Sequence, residues 1–134
     1  MISTLGYTTP TVPKSYAELR ALSMEENLLF IDFYCKEKLG SISNLAPEQK
    51  RFIVLLARHG DIGMTVKNIA TILPTGQSNI EAVLQRLQRA NLVEIKPRPG
   101  GVYWRIKDPV LMLVLYAQHY PQQIAELRLS ELVD

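Results

Sequence analysis

The amino-acid sequence predicts a mainly α-helical fold with one small β-hairpin. Through most of residues 15–133, apolar residues recur at helical spacing. Alternation of apolar and polar residues is confined to "LVEIKPRPGGVYWRIKD", residues 92–108, where a Pro/Gly turn separates two short runs. We therefore expect a loose segment over 1–14, followed by one domain over 15–134.

Serine and glutamate three residues apart begin the first two helices, because each side chain then satisfies a backbone N–H of the first turn. These pairs are Ser15 with Glu18 and Ser23 with Glu26. They predict a short helix over about 16–21 and a longer one over about 24–39, closed by Gly40. The longer helix has a wide apolar face that must be covered: Leu28, Leu29, Phe30, Phe33 and Tyr34.

Three further helices are expected before the hairpin. Pro47 opens the first, which ends near His59 and Gly60. Thr65 caps the second, and "PTG" at 74–76 separates it from the third, which ends where Asn91 suits a left-handed cap. Their inner faces carry Phe52, Leu55 and Leu56, then Val66, Ile69, Ala70 and Leu73, then Ile80, Val83, Leu84 and Leu87.

The hairpin is expected to turn one apolar face to the core. That face comprises Val93, Ile95, Val102, Trp104 and Ile106. Asp108 and Pro109 then start a helix whose run "VLMLVLYA" is apolar on all sides, so it is buried by its own core or by a partner subunit. A last helix is predicted from Pro121, with Ile124, Leu127 and Leu132 inward.

Basic charge is concentrated in the middle of the chain. Residues 46–107 hold ten Lys/Arg and four Asp/Glu, or +6, whereas 1–45 sum to −1 and 108–134 to −3. This asymmetry suggests a polyanion site in the central section. Solvated helix faces also produce such imbalances.

The composition favours a cytoplasmic protein. No run of 18 or more uncharged apolar residues is present, and the first residues lack the basic start and apolar core of a secretion signal. The lone cysteine, Cys35, cannot form an internal disulfide.

Residues 65–106, "TVKNIATILPTGQSNIEAVLQRLQRANLVEIKPRPGGVYWRI", resemble the winged helix-turn-helix superfamily. In that likeness "SNIEAVLQRLQRANLVE" is similar to the recognition helix and first wing strand of prokaryotic regulators. The resemblance implies a winged-helix core over 47–107 with extra helices at 15–40 and 109–133. That layout is similar to dimeric regulators of the MarR type, whose terminal helices interlock. A second resemblance is to the C-terminal winged domain of archaeal P-loop ATPases, although no G-x-x-x-x-G-K-[ST] is present.

The resemblance implies that the helix over 77–91 enters the major groove of double-stranded DNA. Ser78 and the helix N–H groups would meet phosphate, Asn79 and Gln85 would pair with adenine, and Arg86 with guanine. Glu81 fits poorly against phosphate, and polar residues cover the outer face of almost any surface helix. The candidate contacts on this helix are Gln77, Ser78, Asn79, Ala82, Gln85, Arg86 and Arg89.

The hairpin would act as the wing. Arg98, between two prolines at its tip, is the most exposed candidate and would enter a minor groove. Lys96, Arg105 and Lys107 are expected on the outward face, against phosphate. Alternatively, such cations merely protect an edge strand from aggregation. Lys50, Arg51 and Lys67 are weaker backbone candidates.

No catalytic constellation is evident. His59 and His119 lie on separate helices, neither at metal-ligand spacing, and Cys35 beside Lys36 is better explained as an inert thiol than as a redox sensor. We expect a protein that is not an enzyme and carries no cofactor or metal. The favoured function is a homodimeric transcriptional regulator, with the helices over 16–39 and 109–133 at the dimer contact. The alternative is a winged-helix protein-interaction module or a subunit of a larger assembly.

Overall fold

A computed structural model describes residues 12–120. Within that range the chain forms six helices and one two-stranded antiparallel sheet, which confirms the expected mainly helical fold with a hairpin. The predicted helix from Pro121 and most of the predicted loose segment lie outside the described residues. The elements are α1 (Tyr16–Ala21), α2 (Met24–Ser41), α3 (Pro47–Arg58), α4 (Val66–Ile72), α5 (Gln77–Arg89), β1 (Val93–Arg98), β2 (Gly101–Ile106) and α6 (Pro109–His119).

Side-chain caps fix several helix starts, as the sequence predicts. Ser23 Oγ accepts from the Glu26 N–H at 3.1 Å, and Glu26 Oε1 accepts from the Ser23 N–H at 3.1 Å. Thr65 Oγ1 accepts from the Asn68 N–H at 3.0 Å, so α4 also begins with a reciprocal cap. The expected end of α2 is wrong by a short stretch, since Gly40 lies inside its last turn.

Helix α6 is the central element of the core. Its residues from Val110 to Leu115 are each at most 2% exposed. The helix packs against α2, α3 and β2, so the chain itself covers Val110 to Leu115, whereas Tyr116 and Ala117 are half-buried. Of the two covers that the sequence leaves open for these residues, the structure shows the protein's own core. Within residues 12–120 no helix has the length and apolarity to cross a membrane.

Within residues 12–120, helix α2 is covered on one side only. Phe30 is 2% exposed and packs with Val110 and Val114 of α6. The opposite side of the predicted apolar face remains at the surface: Leu28, Leu29 and Phe33 are 43%, 57% and 60% exposed. Within the described residues, this side of α2 is therefore an apolar patch without a cover.

A short backbone bridge ties the loop before α4 to the hairpin. The Met64 N–H donates to the Trp104 carbonyl at 2.9 Å, and the Trp104 N–H donates to the Met64 carbonyl at 2.7 Å. Gly63 permits this approach, because it has a φ of +75° and a Cβ there would overlap the Trp104 carbonyl. The loop thereby forms an antiparallel β-bridge of one residue, Met64, beside β2.

The hairpin register pairs Val93 with Ile106, Ile95 with Trp104 and Pro97 with Val102. The predicted inner face is buried only at the base of the hairpin, where Val93, Trp104 and Ile106 are at most 8% exposed. The prediction is wrong for Ile95 and Val102, which are 40% and 50% exposed. On this face β2 is more deeply buried than β1, since Trp104 is 8% exposed and its register partner Ile95 is 40% exposed.

Replacing a buried and an exposed apolar residue tests which side chains form the core. Leu113→Ala in α6 removes a side chain that is 0% exposed and should lower the free energy of unfolding by about 2–5 kcal/mol. Ile72→Ala in α4, where the side chain is 51% exposed, should change it by no more than about 0.5 kcal/mol. Urea titration followed by Trp104 fluorescence measures both, and equal losses would contradict this assignment.

Candidate nucleic-acid interface

The sequence-predicted contact residues fall into separate places on the structure. Those on the outer side of α5 are Gln77, Ser78, Ala82, Gln85, Arg86 and Arg89. Those in a cleft between α1 and the hairpin are Lys96, Arg98 and Arg105. Lys107 lies elsewhere, in a second cleft beside α2, and Asn79 is turned toward α3. The single surface expected from the sequence is therefore divided.

The outer side of α5 is set by its buried side. Ile80, Val83, Leu84 and Leu87 are all 0% exposed, so the residues between them must face solvent. Gln85, Arg86 and Arg89 are exposed and make no side-chain hydrogen bond or ion pair within residues 12–120. Glu81 shares this surface. The result is a polar stripe with two arginines and one glutamate along the helix.

Asn79 has a structural role at the start of α5. Its Nδ2 donates to Glu48 Oε2 at 3.1 Å and to Thr75 Oγ1 at 2.8 Å. These bonds fix the first turn of α5 to α3 and to the turn that precedes it. To read a base, Asn79 would have to break both bonds, which sequence reasoning missed because Glu48 is remote along the chain.

The N-terminus of α5 presents backbone N–H groups to the surface. Gly76 occupies the capping position and supplies no side-chain acceptor. In contrast, α1, α2, α4 and α6 are each capped by a serine, threonine or aspartate side chain. Since the positive end of the helix dipole lies here, the turn beside Gln77 and Ser78 is suited to an anion.

Arg105 lies at the base of a buried ion network. The outward position predicted for it is wrong, because its side chain is only 13% exposed. Its Nη1 pairs with Asp61 Oδ1, and its Nε donates to Glu94 Oε2 at 2.7 Å. Asp61 is also buried, with its side chain 8% exposed. A buried carboxylate needs such a partner to offset the loss of water.

Helix α1 covers this network. The Tyr16 ring lies under the Arg105 guanidinium, 4.6 Å from Cζ to the ring centroid, and the Tyr16 hydroxyl donates to the Ile106 carbonyl at 2.6 Å. Burial raises the pKa of Tyr16 above its ordinary value, and Arg105 offsets part of that increase. Burial also lowers the pKa of Arg105, against the opposing effect of Tyr16. Both groups keep their ordinary charge near neutral pH.

Arg98 folds back from the hairpin tip. Its Nη2 donates to the Asp61 carbonyl at 2.9 Å, and its guanidinium lies 5.8 Å from the centroid of the Tyr103 ring. The expectation that Arg98 is the most exposed residue of the wing is therefore wrong. Asp61 was absent from the predicted site residues, although an acidic residue in the "HGDIGM" turn of a basic region was a visible signal.

Lys107 contributes to a different region. Its Nζ donates to Asn91 Oδ1 at 2.7 Å, where the left-handed conformation expected for Asn91 is confirmed by a φ of +65°. Both line a cleft of about 470 Å³ that also contains the ion pair between Lys38 and Asp108, at 2.6 Å. This cleft is at the C-terminal end of α5, remote from its N-terminal turn.

Comparison with known proteins gives no relative: no protein-family model matches the chain, and neither does any curated protein. The evidence for function therefore comes from the geometry of the described residues. Among residues 12–120, no group of three or more His, Cys, Asp or Glu side chains is placed to hold a metal ion.

Removing the Asp61 charge tests the buried network. Asp61→Asn leaves Glu94 as the one carboxylate that pairs with Arg105 among the described residues and should lower the free energy of unfolding by roughly 3 kcal/mol. Glu94→Gln is the control, because Glu94 is 32% exposed and its loss should cost less than about 1 kcal/mol. Urea denaturation distinguishes the two, and a neutral Asp61→Asn would contradict the structural role assigned to the pair.

Proposed function

We propose that this protein binds double-stranded DNA as a winged helix-turn-helix transcriptional regulator, with α5 as the recognition helix. The observation that carries the proposal is the exposed stripe of α5. The stripe begins at an N-terminal turn that has no side-chain cap and continues along Gln85, Arg86 and Arg89. None of these three side chains has a structural partner within the described residues. An α-helix that presents amide and guanidinium groups fits the major groove.

The order of elements supports the same proposal. Helix α4, the "PTG" turn and α5 form two packed helices, and β1 and β2 follow directly. Met64, which precedes α4, pairs with Trp104 and so adds a one-residue third strand to the hairpin. A winged helix-turn-helix has this sequence of helix, edge strand, two helices and hairpin, so the element order agrees with the resemblance in residues 65–106.

Each group on α5 has a chemical role in this proposal. The first-turn N–H groups and Ser78 bind phosphate, Gln85 reads adenine and Arg86 reads guanine. Glu81 lies on the same surface and repels phosphate, which restricts how closely the middle of the helix approaches the backbone. Asn79 positions the helix through Glu48 and Thr75 and is not a base reader.

The regulator acts as a homodimer in this proposal, with the contact on α2. The support is the exposed apolar side of that helix, which carries Leu28, Leu29 and Phe33. Side chains of this size in one patch mark interaction surfaces on soluble proteins. Two copies joined there could present their α5 helices to half-sites about 34 Å apart. Helix α6 has no part in the contact, since the chain already buries it.

A second candidate function, binding of another protein through the hairpin, is favoured by one observation. Ile95 and Val102 are 40% and 50% exposed on one face of the strands, whereas Arg98 and Arg105 are turned to the other face. An apolar hairpin surface is suited to a protein partner. Failure of the protein to bind any duplex would favour this second function.

Fluorescence anisotropy with a random-sequence 25-base-pair duplex tests DNA binding. Four arginines of a dimer in contact with phosphate or bases would weaken binding on the order of a hundredfold between 50 and 200 mM salt. Arg86→Gln should weaken binding by about tenfold at constant salt. Arg58→Gln, which removes the same charge from an exposed position at the C-terminal end of α3, should have little effect. Absence of binding at 50 mM salt, or equal losses for the two variants, would contradict the proposal.

Light scattering after gel filtration tests the dimer. Phe33→Glu places a charge in the α2 patch and should convert a dimer into a monomer without loss of helical circular dichroism. Ile72→Glu is the control, because Ile72 is an equally exposed apolar residue, at 51%, on α4. A wild-type monomer, or a dimer that persists in Phe33→Glu, would exclude this contact.

A further inference from the structure

The cleft between α1 and the hairpin concentrates positive charge outside the proposed recognition helix. It has a volume of about 330 Å³, and its charged lining residues within 12–120 are four cations and one carboxylate: Arg20, Lys96, Arg98, Arg105 and Asp61. These sum to a formal +3, and Glu94 next to Arg105 reduces the local sum to +2. A concave site with this excess attracts anions.

Two of the cations are fixed and two are accessible. Arg105 is held by Asp61, Glu94 and the Tyr16 ring, so its position is set by packing. Arg98 is held by the Asp61 carbonyl. In contrast, the Arg20 side chain is 48% exposed and approaches Asp61 Oδ2 at only 3.7 Å, and the exposed Lys96 makes no ion pair within the described residues.

Holding these cations together costs electrostatic free energy unless an anion binds between them. Among the described residues, four cations meet two carboxylates here, Asp61 and Glu94, and cations that converge on one cleft repel one another. Guanidinium forks and an ammonium group in one concavity match the geometry of phosphate oxygens. The volume is at the small end of ligand sites, which suits a phosphate group and excludes a bulky apolar ligand.

The cleft beside α2 that contains Lys107 and Asn91 is less suited to an anion. It contains Lys14, Lys38 and Lys107, but Glu37 and Asp108 lie in the same cleft, and Asp108 pairs with Lys38 at 2.6 Å. Its formal sum is +1, and Lys107 is bound to Asn91. It also has no arginine among its lining residues, so bidentate recognition of an oxyanion is absent there.

We infer that the cleft formed by Arg20, Lys96, Arg98 and Arg105 is a phosphate-binding site. The phosphate belongs either to a small phosphorylated molecule or to the DNA backbone, and its chemistry is the same in both. Arg20 and Lys96 close over the phosphate, while Arg105 and Arg98 provide a fixed cationic floor. The site does not depend on the proposed function of α5, because none of its residues lies on that helix.

Two charge-matched double variants separate this cleft from α5. Arg20→Gln with Lys96→Gln removes the two accessible cations of the cleft and leaves the buried pair of Arg105 and Asp61 in place. Arg86→Gln with Arg89→Gln removes two cations from α5. Circular dichroism establishes that both variants are folded. Isothermal titration with inorganic phosphate, at an ionic strength held constant with chloride, is the first measurement.

Wild type and the α5 variant should bind inorganic phosphate equally, and the cleft variant at least about tenfold more weakly. Anisotropy with the 25-base-pair duplex then identifies the source. The ligand is a small phosphorylated molecule if the cleft variant, having lost phosphate affinity, keeps wild-type DNA affinity. The same holds if neither the wild type nor either variant binds DNA. If the cleft variant loses DNA affinity, the ligand is the DNA backbone. The inference is overturned if the cleft variant matches wild type against both probes, or if the α5 variant loses phosphate affinity equally.

Discussion

The arrangement of α1, the loop before α4 and the hairpin depends on one buried residue, Asp61. Its carboxylate pairs with Arg105 and approaches Arg20, and its carbonyl accepts from Arg98. With the side chain 8% exposed, the carboxylate has lost most of its water, so the Arg105 partner is obligatory. The exposed Arg20 contact at 3.7 Å adds little stability by comparison. The Asp61–Arg105 pair therefore joins the loop to the hairpin beside the Met64–Trp104 bridge, and the Tyr16 ring against Arg105 attaches α1.

Local signals allowed much of the fold to be predicted from the sequence, because they act within a few residues. The serine caps of α1 and α2, the threonine cap of α4 and the left-handed Asn91 all lie where the sequence places them. The alternation in the hairpin also correctly separates its two faces. It cannot show which face is covered, since that depends on α1, some 90 residues away along the chain from Ile106. For this reason Arg105 and Arg98 were expected in solvent and Ile95 and Val102 in the core.

The interior of the domain illustrates a second limit of local reasoning. A helix that is apolar on all sides must be covered, but its sequence does not identify the cover. Here α2, α3 and β2 enclose Val110 to Leu115, so the protein's own core is the cover that the sequence could not identify. On α2 the opposite holds, because Phe30 packs against α6 while Leu28, Leu29 and Phe33 stay exposed. The apolar face that the sequence predicts on α2 is thus only partly used in the core of the described residues.

The fold also changes the meaning of the basic charge in residues 46–107. The formal +6 suggests one polyanion surface, but Arg98 and Arg105 face α1, and Lys107 is bound to Asn91. The outer side of α5 retains Arg86 and Arg89 against Glu81. The positive charge on that helix is thus smaller than the regional total indicates. Of the other cations in 46–107, Lys96, Arg98 and Arg105 lie in the cleft beside α1, and the rest lie on α3, on α4 and after β2. The proposed reading of bases by α5 therefore depends more on the amide of Gln85 and the fork of Arg86 than on long-range attraction.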